Sequence, residues 1–575
     1  MGMCAMRRTV LIVLAVVTWV TAAAASVIQI KRRSTPKKSR IFINGNILTI
    51  DDNDSVVEAV ALRRDRIVAV GATDEIMKLK RFGTVVVDLE GKTLMPGFID
   101  AHSHFPGSGV LAEVGVDLNS LPIGKIENIP QLIEALRKKA KKTKKHRKIV
   151  GLGYDDTRLA EKRHPNRHDL DKASTNHPIF IGHISGHYAA VNAKALEILG
   201  IDKNTEDPEG GKLHRDPVTG EPTGVLEEKA VELAYEKGVD FSLLEQISII
   251  RHAIRDYAAA GVTTAQNGLA PKKILKPLSI ISKLGLLPLR VVQWPDEECG
   301  DEILSGNFDP DEHHTDMHTV GPVKLFADGS IQAYTGYLTE PYYLQPEGDD
   351  GYRGYPVQSR EKLAEVVTKF HGAGLQIAIH GNGDAAIDDI IYAVCKAQEA
   401  HPRKDPRHIL VHGQMTRPDQ LDAMKKLGIT PSYHSAHLYY WGDRHVEIFM
   451  GPERARRISP QKTTLEKGLR FTIHTDAPVV PMNPLHLVWC SVNRQSSGGR
   501  VIGEEERITP MQALRAITID AAWQIFQEDN RGSIKPGKFA DLVILSADPT
   551  AAPTKIKDIQ VLETIVGGRT VYRRD

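Results

Sequence analysis

The stretch Met95-Pro-Gly-Phe-Ile-Asp-Ala-His-Ser-His-Phe105 decides how the chain is read. It is a short apolar run that ends in two histidines spaced two apart. On an extended strand, residues i and i+2 point to the same side, so His102 and His104 can converge on one ion. A lone His-x-His is weak evidence, since paired surface histidines are common. Its meaning depends on what recurs further along.

Seven more apolar, β-prone runs follow, separated by amphipathic stretches of helical period. They are Gly261–Gln266, Pro288–Trp294, Val323–Ala327, Leu375–His380, His408–His412, Ile429–His434 and Arg470–Asp476. Alternation of this kind predicts a parallel α/β sheet, and eight strands predict a closed (β/α)8 barrel of the TIM type. The gap between the first and second strands far exceeds a βα crossover, which predicts an insertion at about 106–255 that overhangs the mouth. Short β-prone runs at Ile41–Ile50, Glu58–Leu62 and Arg66–Gly71, and again at Ala540–Leu545 and Val561–Tyr572, predict a small β-sandwich built from both ends of the chain. Asn44-Gly45 reads as a two-residue hairpin turn. Thr509-Pro-Met-Gln reads as a capping box that opens the last helix. The expected division is 34–96 and 531–575 for the β-sandwich and 97–530 for the barrel.

Ligand-type residues fall repeatedly where a strand meets a loop. Strand 5 ends in His380, strand 6 in His412 and strand 8 in Asp476. That is the end at which barrels of this kind build their sites. Imidazole nitrogen and carboxylate oxygen suit a zinc-like divalent ion. Lys324 lies inside the apolar run Val323-Lys-Leu-Phe-Ala, where an unpaired ammonium is costly. Two readings of it stand open: an ion pair with Asp328, or an amine carboxylated to a carbamate that bridges metals.

The composition is that of a globular protein, with 41% hydrophobic and 25% charged residues and a net charge of +2 that selects no partner. The basic run Arg137–Lys148 follows an apolar-periodic segment and lacks interleaved aromatics, so it reads as a solvated helix end rather than a nucleic-acid surface. Cys4, Cys299, Cys395 and Cys490 show no paired spacing and imply neither disulfides nor a thiolate metal site. Residues 1–33, with Arg7-Arg8 before the apolar run Thr9–Ile30, read as a signal peptide or a single membrane anchor. The secretory route, secreted or membrane-anchored, is the expectation. A monomer and a homo-oligomer both stay open.

Taken together, the motifs Pro96–His104, Ser185-Gly-His-Tyr-Ala-Ala-Val-Asn192, Val323–Ser330, Ile379-His-Gly-Asn-Gly-Asp384, Val411-His-Gly-Gln414, Tyr440-Trp-Gly-Asp-Arg-His445, His474-Thr-Asp-Ala-Pro-Val479 and Gly532–Val543 resemble the amidohydrolase superfamily. Within it they resemble the YtcJ-like branch (amidohydrolase 3 type), which includes N-substituted formamide deformylases and the exoenzyme regulatory protein type. The resemblance implies one or two divalent ions, zinc foremost, on His102, His104, carboxylated Lys324, His380, His412 and Asp476. It also implies hydrolysis of a non-peptide C–N bond in a small amide-type substrate, with Asp476, His412 and His380 as the catalytic group. His187, His434, His437 and Trp441 are candidate substrate contacts, and Tyr440 reads as wall or core. A deacylase of N-acyl amino acids is the alternative; it needs a cation for the substrate carboxylate, for which Arg444 and Arg494 are candidates. A catalytically silent scaffold or regulator is the reading from another class.

Overall fold

The computed structural model describes residues 39–346 and 349–575. Its centre is eight parallel strands, each overlapping one of the runs named above: β1 (Phe98–Ile99), β2 (Val262–Ala270), β3 (Arg290–Pro295), β4 (Val323–Phe326), β5 (Ile377–Gly381), β6 (His408–His412), β7 (Ile429–Tyr433) and β8 (Thr472–Ile473). β1, β2 and β3 pair in that order in one sheet, and β4 to β8 pair in chain order in a second. Parallel neighbours need a crossover. Helices such as Lys272–Lys283, Arg360–Gly372, Asp384–Ala400 and Pro418–Leu427 supply it and bury apolar faces against the sheets.

The two sheets are linked at both seams. His318–Val320 pairs with β3, whereas Val323–Phe326, two residues on, pairs with β5. The fourth strand therefore starts earlier than its apolar run suggests and is interrupted at Gly321-Pro322, since proline has no N–H for a ladder. At the other seam the chain beyond β1 meets the chain beyond β8. The Asp476 amide donates to the His102 carbonyl at 3.0 Å, and the His104 amide to the Ala477 carbonyl at 2.8 Å.

The ends of the chain form two further sheets. One orders strands Arg66–Gly71, Ala59–Arg63, Arg40–Ile43 and Val85–Asp88. In the other, Thr93–Pro96 pairs antiparallel with Leu542–Leu545, so segments from opposite ends of the sequence are neighbours. Phe42, Val60, Leu94, Leu542 and Ile565 share one apolar cluster between these sheets. Asn44-Gly45 departs from the expected hairpin. Arg40–Ile43 and Asn46–Leu48 lie in different sheets, and the dipeptide, with Asn44 at φ 54°, is a corner between them. The last helix also departs. The Thr509–Gln512 capping box forms, but the helix stops at Ala516 and a second spans Ile519–Gln524. The Ile517 amide reaches back to the Leu514 carbonyl, while the Ile517 carbonyl accepts the Ile99 amide of β1 and so leaves the helical ladder.

Residues 116–228 carry their own six-stranded sheet, within the expected insertion. The basic run ends the helix Ile129–Lys142, capped by Asn128. Cys299, Cys395 and Cys490 are free thiols. The expected signal or anchor segment lies outside the described residues, among which no helix is long and apolar enough to cross a membrane.

Arg290 at the start of β3 holds Asp541, which precedes Leu542–Leu545, through Nε–Oδ2 at 2.6 Å and Nη2–Oδ1 at 3.0 Å. Both side chains are buried, and although burial pushes the Asp541 carboxyl up, Arg290 more than reverses it. Removing one partner of a buried pair strands the other charge, so Asp541→Ala is expected to destabilise the protein by about 3–5 kcal/mol. Denaturant midpoints measure this; a loss below about 1 kcal/mol would mean that the pair behaves as a surface one.

Candidate metal centre

The sequence places ligand-type residues at strand ends, and local packing explains how they turn to face one another. Beyond β1, Ser103 points into the core, donating to the Gln266 carbonyl at 2.7 Å and accepting from Tyr257 at 2.9 Å. Its neighbours His102 and His104 therefore face the opposite side. Asp100 accepts the Thr475 amide at 3.0 Å and its hydroxyl at 2.5 Å, fastening this segment to the one that carries Asp476. Burial pushes the Asp100 carboxyl up to about 7. Gly268 lies against the His102 ring, where a Cβ would overlap it.

Three histidines approach one carboxylate. His102 Nε2 is 3.4 Å and His104 Nε2 3.3 Å from Asp476 Oδ1, and His412 Nε2 is 4.0 Å from Oδ2. The His380 and His412 rings are 4.5 Å apart, and those of His102 and His412 5.6 Å. Among the described residues neither Asp476 Oδ1 nor His102 Nδ1 has a partner in hydrogen-bond geometry, although both atoms are buried. Close approach without hydrogen-bond geometry is what a set of donors directed at a shared cation shows. Burial pushes the Asp476 carboxyl up, but His102, His104 and His412 outweigh it and hold it well below the usual carboxylate range.

The histidines are prepared as neutral ligands. Burial pushes His102 down to about 3 and takes His380 and His412 well below the ordinary imidazole value. A metal needs the unprotonated ring. His380 Nε2 lies 2.9 Å from the Gly329 carbonyl, and His412 Nδ1 3.1 Å from His474 Nε2, whose other nitrogen meets Ser432 Oγ at 2.9 Å. Such outer bonds fix ring orientation and leave one nitrogen on each ring for the site.

Lys324 is buried on β4, its Nζ 5.0 Å from the centre of the Phe326 ring and 5.8 Å from that of Trp294. The pairing with Asp328 does not form. Asp328 instead accepts the amides of Tyr337, Asn382 and Gly383 at 2.8–2.9 Å. Burial pushes the Lys324 amine down to about 7, with Asp476 opposing. A neutral amine is the form that condenses with carbon dioxide.

Two of these residues carry backbone strain. His412 (φ 73°) and Asp476 (φ 57°) sit in the left-handed region, which costs a non-glycine residue about 1–3 kcal/mol and persists where the surroundings over-determine it. The strain lies where strand gives way to site.

The remaining candidates fall into two groups. His434, His437 and Trp441 are buried beside the cluster, with ring centres 4.4 Å (His434–His437) and 5.6 Å (His437–Trp441) apart and His412 6.3 Å from His437. Both nitrogens of His434, Nδ1 of His437 and Nε1 of Trp441 have no partner among the described residues. His187 comes from the insertion, its ring 5.2 Å from that of His380, with Nδ1 held by Glu228 Oε2 at 2.8 Å. Glu228 (φ 50°) was not legible in the sequence; an acid ending an apolar strand gives no signal of its partner. Asp155, Asp156 and His183 also gather in the insertion as a separate acidic group that no sequence pattern marked.

Arg444 and Arg494 do not serve as free cations. Arg444 donates to Asp155 at 2.7 Å, and Arg494 donates to the carbonyls of Ile458, Ser459 and Ile502 at 2.7–3.1 Å. Tyr440 packs edge-on against Tyr439 and Trp441.

The donor set suits a zinc-like divalent ion. A model of the amidohydrolase family matches residues 85–572. The chain belongs to the amidohydrolase family. Among its relatives, the N-substituted formamide deformylase of Arthrobacter pascens is 27% identical, over 94% of this chain and 99% of its own. YtcJ of Bacillus subtilis (strain 168), which carries the name of an amidohydrolase, is 27% identical over 93% and 99%. A metal-dependent hydrolase from Pyrococcus horikoshii OT3 superposes with a TM-score of 0.72 at 26% identity, covering 90% of this chain and 99% of its own. The family match spans all eight central strands.

In this amidohydrolase, Gly268→Ala is expected to push the His102 ring aside and weaken metal retention by roughly 10–100-fold, the size of effect that follows from disturbing the support of a ligand. Chelator competition followed by elemental analysis reads it. A folded variant with undiminished retention would remove His102 from the ligand set.

Proposed function

We propose that the protein is a metal-dependent hydrolase that cleaves a non-peptide C–N bond of amide type. The convergence of His102, His104 and His412 on Asp476 carries this reading, and His380, against His412, and the buried Lys324 on β4 support it. The two parallel sheets, linked at both seams, are read as one closed (β/α)8 barrel, with the terminal sheets as a β-sandwich and the insertion over the mouth. The ligands are His102, His104, Lys324 as its carbamate, His380, His412 and Asp476, holding one or two zinc ions. The N-terminal segment directs the chain to the secretory route.

A divalent ion in this set supplies Lewis acidity, lowering the pKa of water toward neutrality and polarising a carbonyl. The chain supplies the proton transfers. Asp476, held ionised by its histidine neighbours, takes the proton of the attacking water as the C–O bond forms, and returns it to the nitrogen as the C–N bond breaks. His187, braced by Glu228, and the open nitrogens of His434, His437 and Trp441 orient the substrate. The name of the deformylase relative supports a small N-substituted amide.

The alternative, a deacylase of N-acyl amino acids, loses support because Arg444 and Arg494 are both engaged within the protein. A silent scaffold loses support because every ligand-type position is filled, His412 and Asp476 carry backbone strain, and the buried Asp476 Oδ1 and His102 Nδ1 have no hydrogen-bond partner among the described residues.

Asp476→Asn is expected to lower turnover of an N-formyl or N-acyl amide by roughly 100-fold or more, the usual contribution of a positioned acid–base. Metal content measured on the same sample separates proton transfer from ligation, and normal turnover at full metal would refute the role. Chelator treatment is expected to abolish hydrolysis, with zinc plus bicarbonate restoring it faster than zinc alone. If bicarbonate makes no difference and Lys324→Met keeps its metal, Lys324 is no carbamate.

A further inference from the structure

The candidate ligands all lie at the C-terminal ends of the strands. At the opposite end, where the start of β2 and the approach to β4 meet the terminal sheets, there is a cleft of about 250 Å³. Arg66, Arg531, Gln527, Asn530, Thr319 and Asp316 line it, with Phe539 on one wall. Its lining holds two guanidinium groups and a single carboxylate.

Phe539 gathers cations. The guanidinium carbons of Arg66 and Arg290 lie 3.6 and 3.8 Å from its ring centre, and that of Arg531 lies 5.8 Å away. Arg290 is neutralised by Asp541. Arg531 is not matched in this way. It is 5% exposed, makes no ion pair among the described residues, and has only long contacts, Nη1 to Thr264 Oγ1 at 3.4 Å and Nη2 to Gln527 Oε1 at 3.3 Å. Its buried Nε has no hydrogen-bond partner among the described residues. Burial, with Arg290 adding to it, pushes the guanidinium down to about 9, and the carboxylates of Asp541 and Asp316, which oppose this at longer range, do not reverse it.

A buried guanidinium with donors to spare is costly unless an acceptor meets it. Its planar fork matches an oxyanion, which can take two parallel N–H bonds. The cleft has room for one, since a single water takes only about 30 Å³ of liquid volume. The amides of Gln527 and Asn530 and the hydroxyl of Thr319 add neutral donors around the same space.

We propose that this cleft is a binding site for a small oxyanion, phosphate or carboxylate, held by Arg531 and Arg66 at the junction of the eight-stranded core and the terminal sheets. It lies at the end of the sheets away from the metal centre and stands whether or not the hydrolase reading does. The anion would complete the charge balance of Arg531 and tie the two parts of the molecule together.

The test titrates the full-length, metal-loaded protein with inorganic phosphate, and in parallel with acetate, at ionic strength held constant with chloride. Calorimetry and the thermal midpoint are the readouts. One of the two anions is expected to bind saturably and raise the midpoint, with affinity roughly tenfold or more weaker in Arg531→Gln, as for loss of a charge-assisted bidentate bond. Asn530→Asp leaves Arg531 in place but sets a carboxylate in the lining; it is expected to lose binding too, with turnover unchanged, and it serves if Arg531→Gln does not fold. Saturable binding by neither anion, or wild-type affinity in either folded variant, which would place the anion elsewhere, overturns the proposal.

Discussion

The molecule depends on the bond between the two ends of its strand series. Asp100 grips Thr475 through amide and hydroxyl, and the Asp476 amide answers the His102 carbonyl. This one seam joins the first strand to the eighth and presents His102, His104 and Asp476 to one another. Architecture and chemistry share the same four or five residues. The left-handed backbone at Asp476 follows from that double duty, because the chain must pair with the first strand and still turn its carboxylate toward the histidines.

Much of this was legible in the sequence because it rests on local regularities. Apolar runs of strand length separated by helical periods announced all eight strands, and the ligand-type residues fell at their ends. The Thr509–Gln512 capping box formed as its spacing required. What failed to show were features set by distant partners. Asn44-Gly45 has the chemistry of a tight turn, but whether a turn closes a hairpin or rounds a corner depends on which sheets receive the flanking strands. The break after Ala516 depends on β1, at the other end of the strand series, claiming the Ile517 carbonyl.

The site divides along the same line. His102, His104, His380, His412 and Asp476 stood out by type and position, and Lys324 by being out of place. Whether Lys324 pairs with Asp328 was open from the sequence, and the structure shows Asp328 occupied by three backbone amides instead. Glu228 was invisible because its partner His187 sits in the turn before another strand of the insertion, and the nitrogens of His434, His437 and Trp441 that lack a partner among the described residues are a property of packing rather than of pattern. Arg444 was visible as a cation but not as one already answered by Asp155.

The pairing of Thr93–Pro96 with Leu542–Leu545 bears on the order in which the molecule assembles. During synthesis the early strand emerges long before its partner, and an unpaired apolar edge invites wrong contacts in the meantime. Asp476 is also made late, hundreds of residues after His102. The growing polypeptide therefore holds a half-built chelator and an open edge together, and both are completed only in the last stretch of translation. An ion that needs Asp476 as a ligand would be captured late, with the arrival of the final strands rather than with the folding of the first.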